Sequence, residues 1–476
     1  MKLSENASLP YRRKFLALIA ASTASFGIAS ASSAKSPTGG AMLKGRAGDG
    51  NVRDFGAKGD GKTDDTAAVQ AALEAGSGSV YFPKGIYRIT RTIELNLQTI
   101  GYSSVRSEGS AQIIMAGPGP AFRITGTHAR SADPGQFSDD VWSRQRMPIL
   151  DNVAIMGDHP EAVGIEAVGT MQLTISRIHV RKALHGIHLK GNNRNLIVSD
   201  CHFYDNRGIG IFYDDVNIHQ SNITGCHISY NTGGGIVSRG GAVRNVHITG
   251  CDIESNMGAD TAPTANILID CSTSSYGTAE VAITGCTIQH NHLSPDSANI
   301  RILGGNNETL SSRKRWGNVT ITGNVLSDIM VNIHLRDCRG VAISGNTFWE
   351  GFQHNMLLEG CSNIVMGANN FDHNPNYASD LKAKSSLRIV NCEDCTFTGL
   401  HITNVKDSAG LMIEDSRRMN ITNCTILDCS NIGLLLKNVT GSIVSGCLIK
   451  NDLQEGAFTP IKKIGSEGNM IENNLF

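Results

Sequence analysis

The sequence predicts an all-β fold, a right-handed parallel β-helix (a solenoid) with an N-terminal capping helix, and three observations carry that expectation. From about residue 150 the chain repeats itself every 22 to 38 residues or so, which is the range of solenoid units. The units share one order, visible in "NITGCHISYNTGGGIVSRGG", "NVHITGCDIESN", "EVAITGCTIQHN", "NVTITGNVLSD", "GVAISGNTFWEG" and "MNITNCTILDCSNIGLLLKN". Each has a short alternating strand, a Gly-Cys or Gly-Asn corner, a second short strand, a turn, and a third strand of the type Gly-Ile-x-Leu. Apolar residues alternate with period two and show no helical spacing, so each unit reads as three strands of one turn.

The N-terminus reads as an address. In "YRRKFLALIAASTASFGIASASSA", Arg12 and Arg13 precede a mildly apolar stretch, and small residues surround Ala29, Ala31 and Ala34. It resembles a twin-arginine export signal over residues 1–34, followed by a flexible linker at 35–50 and a single β-helix domain at 51–476. The expected partner at this stage is the twin-arginine export machinery, and the expected location is periplasmic or extracellular. The apolar stretch is too short and polar for a bilayer span of ~20 residues, and no later segment is apolar enough to span one. With 42 basic and 43 acidic residues the formal charge is -1, so the chain has no bulk bias toward nucleic acid or membrane surfaces.

The domain opens with "NVRDFGAKGDGKTDDTAAVQAAL", residues 51–73. A solenoid needs a cap over its open end, and a helix from about Thr66 to Ala75, with Asp64 and Asp65 at its N-terminus, supplies one. The acids therefore read as turn and capping groups. Their spacing does not match a calcium loop, and Lys62 is not followed by a phosphate-loop pattern.

Stacking the units produces columns. Cys201, Cys226, Cys251, Cys286, Cys424 and Cys447 share one position, filled elsewhere by Asn324, Asn346 and Asn369, and Asn206, Asn231, Asn256 and Asn291 follow five residues after theirs. The cysteines read as small buried hydrophobes that need neither disulfides nor metal, and the asparagines as an amide ladder.

Alternation also assigns an outward face. In "GIHLKG", Ile187 and Leu189 point inward, so His188 and Lys190 point out. Later units add Phe212 with Asp214, Val237 with Arg239, Leu268 with Asp270, Arg301 with Leu303, His334 with Arg336, and Leu357 with Glu359. Met412 with Glu414 and Leu435 with Lys437 continue the series. His185, Trp316 in the loop carrying Arg313, Lys314 and Arg315, and Trp349 with Glu350, Phe352 and His354 are expected beside it. Aromatics beside mixed charge along an elongated face suit a polysaccharide. Hydrolysis needs two carboxylates, and Asp214 and Asp270, two turns or roughly 9.6 Å apart, approach the inverting separation. A lyase needs a base and a cation, which Lys190, His188, Asp214 and Arg239 supply, with or without calcium. His185, Arg301, His334, Arg336, Glu359, Trp316 and Trp349 are the expected substrate-binding residues. A solvated face with cross-turn ion pairs, and a noncatalytic carbohydrate-binding surface, stand as alternatives.

"DFGAKGDGKTDDT", "AAVQAAL" and "GSVYFPKGIYRIT" together resemble the start of the pectate-lyase-like, rhamnogalacturonase-and-epimerase-like β-helix families. That resemblance implies the fold over residues 51–476, a polysaccharide substrate along the Gly-Ile-x-Leu sheet, and homotrimers in some members. "LHGIHLK" places His185 where the motif histidine of polygalacturonase-type hydrolases falls. "GIEAVGTMQLTISRIHVRKALHGIHL" and "GNTFWEGFQHNMLLEGCSNIVMGANNF" are similar to the β-helical inulin fructotransferases, with Asp200 matching one acid and Ile211 standing where its partner glutamate is expected.

Overall fold

The computed structural model describes residues 50–75, 78–131, 137–259, 264–305, 315–374, 376, 382–453 and 457–476. The export signal, nearly all of the linker, Arg313 and Lys314 lie outside them.

The described chain is a right-handed parallel β-helix. One representative turn comprises strands Asn217–Thr224, His227–Ser229 and Gly234–Arg239, and each pairs in parallel with its counterpart one turn on. Three faces result, called here the first, second and third sheets. The second contains 15 strands. The first and third form one 29-stranded network, because Ile187–Ser199 runs from the third sheet of one turn into the first sheet of the next.

The alternation places Ile218, Ile223, Ile228 and Ile236 inside, and like residues stack: Ile223 on Ile248, Ile228 on Ile253, Ile236 on Ile267. Corners follow from backbone chemistry. Gly225, Gly250 and Gly285 hold φ near +60°, a region that glycine enters without a Cβ penalty.

The helix Thr66–Glu74 takes the place of the third strand in the first turn. Val69, Ala72 and Leu73 join the central core, and the Gln70 amide replaces a strand partner by accepting from Glu94 N and donating to Glu94 O. Asp64 accepts from Thr66 N at the helix start, whereas Asp65 accepts from Lys58 N and Gly59 N and ties down the preceding turn.

All twelve cysteines are buried and unbridged. Each thiol in the corner column bonds a carbonyl of its own corner, as Cys226 Sγ does to Thr224 O at 3.3 Å. Asn324, Asn346 and Asn369 fill the same column, with Cys286 N donating to Asn324 Oδ1. A second cysteine set, Cys271, Cys338, Cys361 and Cys392, occupies the corner after the third strand.

The amide ladder differs from its expected membership. Asn206, Asn231 and Asn256 stack as predicted, each amide donating to the next Oδ1 at 2.7 to 2.9 Å, but Asn256 passes to Asn266 and the ladder continues through Asn299, Asn332 and Asn355. Asn291 lies outside it and turns its own loop by accepting from Leu293 N. The reason is loop length. Four residues separate the second strand from the third after Ser229, but ten after Glu254 and eight after Gln289. Asn256 keeps its place and is joined in the same turn by Asn266, whereas Asn291 leaves the stack and Asn299, the residue before the inward Ile300, takes its place.

Two outcomes test this packing. Asn231→Ala strips the Asn206 amide of an acceptor and leaves the Asn256 carbonyl short of a donor, a loss of about 1–3 kcal/mol, so thermal melting should fall measurably below that of an exposed first-sheet control such as Asn222→Ala. Ellman's reagent should find no rapidly reacting thiol in the native protein among these cysteines and should titrate them only after denaturation; fast native labelling would contradict the buried columns.

Candidate active site on the third sheet

The outward face of the third sheet carries two columns. One runs Glu94, Arg123, Glu166, His188, Phe212, Val237, Leu268, Arg301, His334 and Leu357. The other includes Asp214, Arg239, Asp270, Leu303, Arg336 and Glu359, in the order expected from the repeat.

Polar groups gather at the upstream end. Glu166 is nearly buried, with Arg123 Nε 2.6 Å from Oε1 and Lys190 Nζ 3.0 Å from Oε2. His188 Nε2 lies 2.9 Å from Asp214 Oδ2, and its Nδ1 lies 3.9 Å from Glu166 Oε2. His188 stacks on Phe212 with centroids 5.1 Å apart, and His185 packs against both rings. His185 Nδ1 accepts from Ile209 N at 3.1 Å, so the proton of the neutral ring sits on Nε2.

The electrostatics follow from this packing. Burial resists ionisation of Glu166, but hydrogen bonds from Arg123 and Lys190 outweigh it and hold the carboxyl below its ordinary range. Burial pushes His185 down to about 4, helped by neighbouring His188. Burial likewise lowers His188, with Asp214 offsetting part of the effect. The upstream cluster therefore holds neutral imidazoles beside the ionised Glu166 and its two cationic partners.

The middle of the face corrects the expectation of a continuous charged groove. Phe212, Val237 and Leu268 form a second apolar cluster with Ile209, Ala265, Ala298 and Val331, separate from the central core. Downstream, Arg301 is 1% exposed, its Nη2 2.8 Å from Asp296 Oδ1 and its Nε donating to His334 Nδ1. His334 Nε2 in turn meets Glu359 Oε2 at 2.8 Å. Arg301 is thus a buried ion-pair member and not an open sugar contact, because the connection through Asp296 folds over it.

The other expected residues divide similarly. Lys190, Asp214, Arg239, Arg336 and Glu359 remain accessible, with Arg239 and Arg336 exposed. Asp270 is held in a turn, accepting from Ser272 N at 3.0 Å and Ser272 Oγ at 2.6 Å, with Arg239 in register between it and Asp214. Trp316 is a correction. It packs against the central core and lies on Gly277, where an added Cβ would meet its ring at 2.5 Å, and Arg244 lies over it at 5.4 Å. Trp349 is half-buried, and its carbonyl accepts from Asn332 of the amide ladder. Phe352 stacks on His292 at 3.8 Å.

Glu166 and Arg123 were missed from sequence. "GIEAV" has the same Gly-Ile-x pattern as "GIHLK", so the alternation that selected His188 also points Glu166 outward. Two cavities lie elsewhere: about 670 Å³ beside Asp215 and Tyr276, and about 690 Å³ on the first sheet near Asn222 and His247. The polar cluster is singled out by its density of paired charges and displaced imidazole ionisation.

Residues 50–109 match the family model described as rhamnogalacturonase A/epimerase, pectate lyase-like, residues 138–288 that of the right-handed beta helix region, and residues 269–476 that of the periplasmic copper-binding protein NosD. Alginate lyase 7 of Azotobacter vinelandii is 64% identical over 44 residues, 8% of this chain and 5% of that protein. The mannuronan C5-epimerase AlgE2 of the same organism is 47% identical over 64 residues, 11% of this chain and 6% of that protein. The chain thus spans only a small part of the length of these relatives. The tailspike protein of E. coli bacteriophage HK620, solved with a pentasaccharide, superposes with a TM-score of 0.61 at 11% identity, covering 89% of this chain and 80% of that one, a likeness of fold. Among the described residues no group of three or more His, Cys, Asp or Glu side chains is arranged to hold a metal ion.

The imidazoles set a pH dependence. Unfolded histidine takes up its proton near pH 6.5, whereas folded His185 and His354 do so only at about 4. Between those values the unfolded chain binds more protons, so acidification destabilises the fold and pH above 6.5 adds nothing further. The melting temperature should fall from pH 7 to pH 4.5, and His185→Gln, which can still accept from Ile209 N but does not titrate, should shrink that fall. An unchanged pH profile in the variant would contradict the buried neutral ring.

Proposed function

We propose that this right-handed β-helix, with its pectate-lyase-like opening, is a carbohydrate-active enzyme that abstracts the proton beside the carboxylate of a uronate unit in a polysaccharide. The observation that carries the reading is the pairing of His188 Nε2 with Asp214 at 2.9 Å beside Lys190 Nζ with Glu166 at 3.0 Å, on one outward sheet face with Lys190 and Asp214 reaching solvent. Local similarity to a lyase and to an epimerase supports the same class of chemistry.

Asp214 orients His188 and keeps the proton on Nε2, leaving the Nδ1 lone pair as the base. Burial keeps that ring neutral and ready to accept a proton. Lys190 and Arg239 supply positive charge for the substrate carboxylate as its neighbouring carbon loses the proton. In a lyase the C4–O bond then breaks, a C4–C5 double bond forms, and the leaving oxygen takes a proton; in an epimerase the carbon is reprotonated from the other face. Proton abstraction is favoured over hydrolysis because Asp270, the second carboxylate of the hydrolytic pair, is engaged by Ser272. Both Glu166 oxygens face cationic side chains, and calcium, where a lyase takes it, would add to the positive charge supplied by Lys190 and Arg239. The reading includes export through the twin-arginine machinery to the periplasm or beyond, on the strength of Arg12 and Arg13.

The test is incubation with polygalacturonate, alginate and neutral glucans, each with calcium and with chelator, recording 235 nm absorbance, reducing ends and solvent deuterium incorporation at C5. Rising absorbance, or deuterium uptake without cleavage, is expected on a uronate polymer. Reducing ends without absorbance would overturn the reading and move the chemistry to Asp214 and Asp270. Silence throughout would leave a binding protein. His188→Ala should lower turnover by ~10²–10⁴-fold, and activity should climb with pH as His188 loses its proton, on the acid side of 6.5, then level off.

A further inference from the structure

The cavity of about 670 Å³ at the corner between the third and first sheets has no part in the chemistry above. It begins at the residue after Asp214: Asp215, at φ +45°, turns the corner and lines the cavity while Asp214 stays on the groove face. Asn217, His219, Ala242 and Arg244 contribute from the outward face of the first sheet, and residues 273–276 form the far wall.

That wall is held in one shape. Ser274 Oγ donates to Gly241 O and accepts from Tyr276 N and Gly277 N. Arg244 forks onto Val243 O, Gly277 O and Tyr276 O, with its guanidinium over the Trp316 ring. A loop pinned by this many bonds nonetheless holds Tyr276 67% exposed at the rim. Asp215, exposed on the near side, is the carboxylate of the cavity, with Oδ1 fixed by accepting from Gly241 N at 2.8 Å.

We infer that this cavity is a second carbohydrate-binding site, taking a short oligosaccharide whose ring stacks on Tyr276 and whose hydroxyls donate to the exposed carboxylate of Asp215, where Oδ1 already accepts from Gly241 N and Oδ2 faces the cavity side. The chemistry matches on each count. The volume falls within the ~300–1,000 Å³ of small-ligand sites. Sugar rings present an apolar face to an aromatic ring and hydroxyls at the edge, and the wall offers both partners without rearrangement. The site shares a corner with the groove, so a polymer bound there is held beside the reacting face; the assignment itself does not depend on the reaction proposed above.

Calorimetric titration of the mature protein with hexagalacturonate and with cellohexaose tests it, run in a His188→Ala background so that neither probe is consumed. Binding of at least one probe is expected. Tyr276→Ala should weaken it by about tenfold, and Ala242→Trp, which fills the cavity, should abolish it. Both variants should melt as the parent does and, in the wild-type background, keep their rate on short soluble substrate. Preference for hexagalacturonate would mark an acidic glycan and preference for cellohexaose a neutral one. No binding of either probe, or binding unchanged in both variants, would overturn the inference. Loss of turnover in His188→Ala with cavity binding intact, or the reverse in Tyr276→Ala, separates the fate of this site from that of the groove.

Discussion

Every strand in this molecule finds its backbone partners in the turns before and after it, and that single constraint governs the rest. A parallel ladder has no hairpin to set its register, so the register comes from what is buried between turns. Ile223 over Ile248 and Cys226 beside Cys251 set it in the apolar interior, and the asparagine amides set it at the second corner. A slip by one residue would turn these columns out and bury the charges that face solvent. The handover of the ladder from Asn256 to Asn266 shows that the constraint belongs to a place in the stack and not to a place in the repeat. Whichever residue arrives there must satisfy the amide above and the amide below.

The same register makes neighbours of residues a full turn apart in sequence. Glu166, His188 and Asp214 are separated by 22 and 26 residues, yet they form one hydrogen-bonded and ion-paired cluster. Packing beside Phe212 strips water from His185 and His188, which is why their rings stay neutral, while Lys190 and Arg123 keep Glu166 charged. The sheet is a regular scaffold, and the chemistry arises where its outward columns stop being uniform.

Corners add a second dimension. Asp214 and Asp215 are adjacent in the chain but serve different faces, because the left-handed backbone at Asp215 ends the third strand and starts the approach to the first. Arg244 and Trp316, the latter expected in the groove, instead brace the loop that walls the neighbouring cavity. An aromatic residue in a long basic loop is compatible with either role, and only its contact with Gly277 decides between them.

The sequence by itself determined the architecture: the turn period, the three strands per turn, the cap helix at Thr66, the inward columns and the order of the outward ones. These are legible because a β-helix writes inside and outside as a local alternation, repeated often enough for its columns to align. It also placed His188, Lys190, Asp214 and Arg239 on one face, and the same alternation would have found Glu166. Only the tertiary structure decided which outward residues meet solvent. Phe212, Val237 and Leu268 close into an apolar cluster, Arg301 disappears beneath Asp296, and Asn291 leaves the ladder. The last two outcomes depend on insertions between the second and third strands, whereas the apolar cluster comes from strand residues that stack across turns. Alternation fixes the direction a side chain points, but what covers it comes from elsewhere in the chain.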